Sequence, residues 1–139
     1  MAFGGVMEAA GFLTRITQSL VSLAHSAAGL IGATLATCGL INITAGDQYL
    51  AIVVPGRMFK DAYRERGLAP ENLSRCLEDS GTVTSALVPW NTCGAYQSAT
   101  LGVATGEYFV YAVFNWVSPI MSWIIALIGF RIRKLNSQE

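Results

Sequence analysis

The chain is expected to be all-α and polytopic, a membrane protein built from broken or re-entrant helices. Three observations predict this class. Hydrophobic residues make up 53% of the 139 and charged residues 13%, against about 25% charged in soluble domains. The charges are segregated: between Arg15 and Asp47 the only ionisable groups are His25 and Cys38, and neither 80–106 nor 108–130 holds an Asp, Glu, Lys or Arg. Each stretch exceeds the ~20 largely apolar residues that a helix needs to cross a bilayer core. Helix-breaking and small polar residues then interrupt the apolar runs, around 42–47 and again around 81–94. A chain this short cannot easily wrap several apolar helices in a polar surface. Its net charge of zero gives no electrostatic footprint for nucleic acid or for an acidic partner.

Residues 1–13 are small and apolar, as at the end of a truncated helix. No Lys or Arg precedes them and Glu8 lies among them, so they do not read as a secretory signal. The opening falls mid-pattern, and the chain is expected to be the C-terminal fragment of a longer protein. Thr17 to about Leu40 suits a membrane helix. Ala24, Ala28, Gly32 and Ala36 recur at i+4 and fall on one stripe. Small residues let helix backbones approach closely in lipid. The opposite side, with Leu20, Leu23, Leu30, Ile31 and Leu35, is expected to face lipid. His25, near the small stripe, reads as a polar residue hydrogen-bonded inside the bundle rather than as a proton carrier. One straight helix from Leu20 to Pro55 would be roughly 54 Å long, far beyond a bilayer core. The chain must break, and 42–47 is the natural place.

Residues 57–79 are polar and basic, with Arg57, Lys60, Arg64, Arg66 and Arg75; the tail 131–139 carries Arg131, Arg133 and Lys134. Short basic segments lie on the cytoplasmic side, so both are expected there. The intervening 80–130 must then leave and return. Two crossings would do this, or a re-entrant hairpin with a paired span. Gly102 and Gly106 form a weak G-x-x-x-G, because 100–107 also reads as a loop. A last span is expected from Glu107 to Phe130. Tyr111, Asn115, Ser118 and Ser122 share one helical stripe, Pro119 removes the bond to Asn115 and kinks the helix, and Tyr108 and Phe130 fit the interfacial aromatic belts.

The stretch 77–96 is the most informative. It has no Lys or Arg, yet it is crowded with hydroxyls and punctuated by Gly81, Pro89 and Gly94. Irregular backbone at membrane depth is tolerated only where it is buried in protein or lines a cavity. Transporters use such discontinuous helices to expose carbonyls and helix ends to ions, and hard cations prefer oxygen ligands. Ser80, Thr82, Thr84, Ser85, Asn91 and Thr92 supply side-chain oxygens here. Cys38, Cys76 and Cys93 have no metal-site spacing and read as free thiols; no cofactor is expected. No nucleophile, base and orienting group occur together, so an enzyme is the least favoured class.

Leu77-Glu78-Asp79-Ser80-Gly81-Thr82 followed by Val88-Pro89-Trp90-Asn91-Thr92-Cys93-Gly94-Ala95 resembles a late segment of the NhaC-type sodium/proton antiporters, and Thr100-Leu101-Gly102-Val103 continues it. Thr44-Ala45-Gly46-Asp47-Gln48-Tyr49-Leu50 with Val54-Pro55-Gly56-Arg57-Met58-Phe59 resembles the same family's preceding segment, and Phe3-Gly4-Gly5 with Gly11-Phe12-Leu13 also fits. The resemblance implies a multi-pass protein of the cell (inner) membrane, of the ion-transporter superfamily, with this chain holding most of the second inverted repeat. It implies Na+ and H+ as the transported species. The other expected partners are the lipid bilayer and either the missing N-terminal half or a second copy. Sodium- or proton-coupled exchange of organic acids such as malate and lactate stays open, as does a non-transporting fragment. The expected mechanism is competition of a proton and sodium for one carboxylate, because a bound cation favours the ionised form and desolvation the neutral one. Asp47 is the first candidate and Asp79 the second, the latter being also a candidate helix cap. Asn42, Thr44, Ser80, Thr82, Thr84, Asn91 and Thr92 are the expected oxygen ligands.

Overall fold

The computed structural model describes residues 10, 11, 15, 19, 22, 26–130 and 132–134. Expectations resting on most of 1–25, His25 included, and on Arg131 and 135–139 lie outside those residues. Ser26 opens the first described helix, α1 (Ala27–Ala45), by accepting the Gly29 N–H on its hydroxyl at 3.1 Å. That satisfies one of the donors a first turn leaves orphaned. The 19 residues of α1 span about 28 Å, close to the thickness of a bilayer core. Among the described residues it is the one helix long and apolar enough to cross a membrane.

The break expected within 42–47 falls at its end. Asn42 is still helical, and Gly46 stops α1 at φ 63°, a left-handed conformation that costs a residue without Cβ little. Asp47 restarts the chain as the cap of α2 (Gln48–Glu65), accepting Tyr49 N–H at 2.8 Å and Leu50 N–H at 3.4 Å. Helix α2 runs through Pro55 and Gly56, where the apolar pattern was expected to end. A proline inside a helix removes one backbone donor, and burial of Ala51, Val54, Pro55, Phe59 and Tyr63 along one face holds the helix across it. After the turn at Gly67 comes α3 (Pro70–Cys76), with proline in its first turn, where the missing N–H costs nothing. Most of 57–79 is therefore helical.

Helix α3 does not end in a cap. It continues into a π-helical turn, Leu77–Thr82, and then a 3-10 stretch, Val83–Leu87. Val88 is extended, and Asn91 caps α4 (Thr92–Leu101). Gly102 closes α4; α5 (Thr105–Phe109) and α6 (Val113–Ile128) follow. The single span expected from Glu107 to Phe130 is thus two helices with a turn at 110–112. Tyr111 and Ala112 both return their N–H groups to Tyr108 O, at 3.0 and 2.9 Å. The aromatic and β-branched run Phe109-Val110-Tyr111 is a poor helix former.

The core joins Leu30, Ile31 and Leu35 of α1 to Phe59 and Tyr63 of α2, Leu73 and Cys76 of α3, and Ala126 of α6. The expectation that Leu30, Ile31 and Leu35 face lipid is therefore wrong. Helix α1 is apolar all round, so composition offers no polar face by which to orient it. The small stripe does meet another helix: a methyl on Gly32 would stand 2.8 Å from Trp123 Nε1 of α6. Residues 132–134 return to the α2–α3 connection, where Ala69 N–H bonds Arg133 O at 3.0 Å and Asn72 bonds Arg133 O at 2.6 Å. Cys38, Cys76 and Cys93 are free thiols.

Candidate functional site

The two breaks in the helices lie against each other. Thr92 N–H donates to Gly46 O at 3.1 Å. Asn91 Nδ2 donates to Asn42 Oδ1 at 3.1 Å and to Asn42 O at 3.3 Å. Trp90 Nε1 donates to Ile43 O at 2.7 Å, and Cys93 Sγ to Gln48 Oε1 at 2.6 Å. The second break is tight because Gly94 has no side chain: a Cβ there would stand 2.0 Å from Val88 O. The C-terminal turn of α1 and the first turns of α2 and α4 so converge on one buried junction, with Asn42 and Asn91 both fully buried at its centre.

The change of winding from π to 3-10 disturbs the regular helical ladder, and carbonyls along it receive side-chain donors from elsewhere. Asn42 Nδ2 lies 2.8 Å from Gly81 O, 3.0 Å from Thr84 Oγ1 and 3.4 Å from Ser80 O. Asn115 Nδ2 donates to Val83 O at 2.9 Å and Tyr108 OH to Ala86 O at 2.6 Å. Within the segment Ser85 Oγ donates to Thr82 O at 2.6 Å, and Ser80 Oγ ties the segment to α1 by donating to Leu35 O at 2.7 Å. A buried carbonyl left unpaired in an apolar surrounding costs several kcal/mol, so these donors keep the irregular segment tolerable. An apolar cleft of about 840 Å³ lies between α1, the 3-10 stretch and α6, with Ser80 and Thr84 in its lining.

Of the residues singled out from sequence, the structure brings Asn42, Ser80, Thr84 and Asn91 together, with Thr92 at the edge. Thr44 does not join them: its hydroxyl donates to Leu40 O in its own helix at 2.8 Å. Thr82 contributes its carbonyl, to Ser85. Asp47 caps α2. Asp79 stands on its own side of the π turn, where its carboxylate accepts the hydroxyls of Ser118, at 3.4 Å, and of Ser122, both from α6. Arg75 Nε is 3.8 Å from Asp79 Oδ2. The sequence stripe of Asn115, Ser118 and Ser122 thus faces the irregular segment, and its i, i+3, i+7 spacing was the signal for these site residues. Tyr111 leaves the stripe because it lies in the turn before α6. Tyr108, expected in an interfacial belt, instead clamps Ala86; nothing in its sequence position marked that role.

Comparison with known proteins gives a consistent outcome. Residues 1–130 match the Na+/H+ antiporter family. The chain is 43% identical over 138 residues to an uncharacterized Na(+)/H(+) antiporter of Haemophilus influenzae, covering 98% of this chain and 29% of that protein. It is 36% identical over 137 residues to the Na(+)/H(+) antiporter NhaC of Alkalihalophilus pseudofirmus, covering 99% and 30%. It is 32% identical over 130 residues to the malate-2H(+)/Na(+)-lactate antiporter of Bacillus subtilis, covering 94% and 27%. The chain spans about three-tenths of the length of these curated relatives. No solved structure matches it.

Proposed function

Since the chain belongs to the Na+/H+ antiporter family, we propose that it is part of a secondary transporter that exchanges Na+ for H+ along its irregular segment 77–91, between the junction of its two broken helices and the carboxylate of Asp79. The chain is an integral membrane segment of the cell membrane. The observation that carries the exchange reading is the junction itself: two helix breaks joined by Asn42 and Asn91, with backbone and hydroxyl oxygens gathered around one amide. Such oxygens are the donors hard cations prefer, and discontinuous helices are where transporters present them. The remainder of the exchanger, on this reading, supplies the spans that complete the path. The basic 57–79 and the tail around Arg133 meet at one end of the molecule, which supports a cytoplasmic position for both.

The competing carboxylate is Asp79 rather than Asp47. The carboxylate of Asp47 is engaged by two backbone donors of α2, whereas that of Asp79 meets hydroxyls and a guanidinium, side chains that can rearrange. In vesicles holding the assembled exchanger, Asp79→Asn is expected to abolish sodium-driven proton flux. Asp47→Asn is expected to keep most of it, because Asn caps helices about as well as Asp. The opposite pattern, in variants that still insert, refutes the assignment. Exchange of an organic acid is the second reading, favoured by the likeness to the malate/lactate antiporter. Both helix N-termini at the junction are already capped, by Asp47 and Asn91, which disfavours an anion there. Flux that requires added malate or lactate separates the two.

A further inference from the structure

Away from the junction, a second set of polar groups lies on the far side of the π turn. Asp79 receives Ser118 and Ser122 from α6. Ser122 also lines a small cavity of about 20 Å³, with Asn72, Arg75 and Cys76 on one part of its wall and apolar side chains, among them Ile31 and Ile125, on the rest. That is room for one water or one small desolvated ion. Beyond it opens a polar vestibule of about 390 Å³, lined by Glu71, Asn72, Arg75 and Arg133. Asn72 and Arg75 belong to both linings. Arg75 thus borders both the vestibule and the small cavity and stands 3.8 Å from the carboxylate of Asp79.

We infer that Asp79, Ser118 and Ser122 form a loading site for a small monovalent cation that enters through this vestibule, and that Arg75 is its gate. The inference rests on the exchange reading above and adds the entry route and the ligands. Three oxygen-bearing side chains, one of them anionic, meet the ligand preference of a hard cation. The guanidinium of Arg75 sits 3.8 Å from the same carboxylate, with 44% of its side chain exposed. Arg75 is thus a tethered positive charge: it accompanies Asp79 while the site awaits its ion, and it can swing into the vestibule when the ion arrives. Ion and guanidinium compete for one carboxylate, as two ligands compete for one state. Asn72 is fixed to the backbone of Arg133 on both its amide atoms, at 2.6 and 3.2 Å, so one wall of the vestibule is tied to backbone while Arg75 is partly exposed.

The test is equilibrium binding of radioactive sodium to the assembled exchanger in lipid nanodiscs, for the wild type, for Ser118→Ala/Ser122→Ala and for Arg75→Gln. Losing both hydroxyls is expected to weaken sodium binding about thirtyfold, from a net ~1 kcal/mol per hydrogen bond. Arg75→Gln is expected to tighten it, because the tethered competitor is gone; a merely structural arginine would not give that sign. Wild-type binding with both variants unchanged, or weakened binding in Arg75→Gln, overturns the loading site and leaves the exchange reading standing. Wild-type exchanger that binds no sodium removes both. Should the double serine variant fail to fold, the half-exposed Arg75→Gln decides alone.

Discussion

Asn42 carries more of the junction than any other described side chain. Its amide nitrogen serves Gly81 O and Thr84 Oγ1, and its two oxygens receive Asn91. It is fully buried, so Asn42→Ala removes its side-chain bonds to Gly81 O, Thr84 Oγ1 and Asn91 Nδ2. At about 1 kcal/mol per bond, a loss of ~3 kcal/mol is expected, measured as a fall in thermal stability in detergent. Asn42→Asp retains the size and removes the donor, setting a carboxylate against carbonyl oxygens. That variant is expected to recover stability when sodium is added, in the same thermal assay, whereas Asn42→Ala is not. Equal response of both to sodium counts against cation binding at the junction. Asp47 and Asp79 show how far residue type alone can lead. Both acids flank helix breaks in the sequence, and only the packing of α6 on the π turn separates a cap from a carboxylate held by hydroxyls.

At the scale of elements, the second break depends on one bare backbone. Gly94→Ala would gain roughly 1 kcal/mol in helix propensity, but its methyl would stand 2.0 Å from Val88 O, and that contact wins. Overpacking costs ~1–3 kcal/mol, and here the obstacle is backbone that cannot turn aside. The expected outcome is a variant that unfolds earlier on heating, while Gly106→Ala in α5, where the added methyl meets nothing within 4 Å, is neutral or slightly stabilised. The regions of both breaks, 42–47 and 81–94, were legible beforehand, because the glycines and the proline in them are local signals with local causes. The winding of 77–87 was not, since no residue type specifies a π turn. The orientation of α1 was not either: Leu30 and Leu35 pack inward through partners such as Phe59 and Tyr63 that lie far along the chain. Pro55 does not stop α2, because burial of its neighbours outweighs a single lost hydrogen bond. Of the candidate site, the oxygen-rich stretch was readable; its division into a junction and a separate carboxylate cluster needed the fold.

For the molecule as a whole, the end near the α2–α3 connection is closed by residues 132–134. Asn72 makes the tie, holding Arg133 N and O and also Ala69 O. The neighbouring ion pair of Arg133 with Glu71 is largely exposed, and such pairs contribute little. Asn72→Ala is therefore expected to cost about 1–2 kcal/mol and to speed trimming by carboxypeptidase, whereas Glu71→Gln changes neither. At the other side, α4 to α6 present Tyr96, Phe109, Phe114, Trp116 and Ile128 outward, an apolar surface that water does not favour and lipid does. The π turn between these halves works as a spacer. It holds a residue more than an α-helical turn would, and each residue of helix turns the chain by about 100°. Deleting one residue from 77–82 would straighten the winding and swing everything downstream around the axis, so that Val83 and Ala86 would no longer meet Asn115 and Tyr108. The extra residue acts as a vernier that sets both faces of the rod in register with their separate partners.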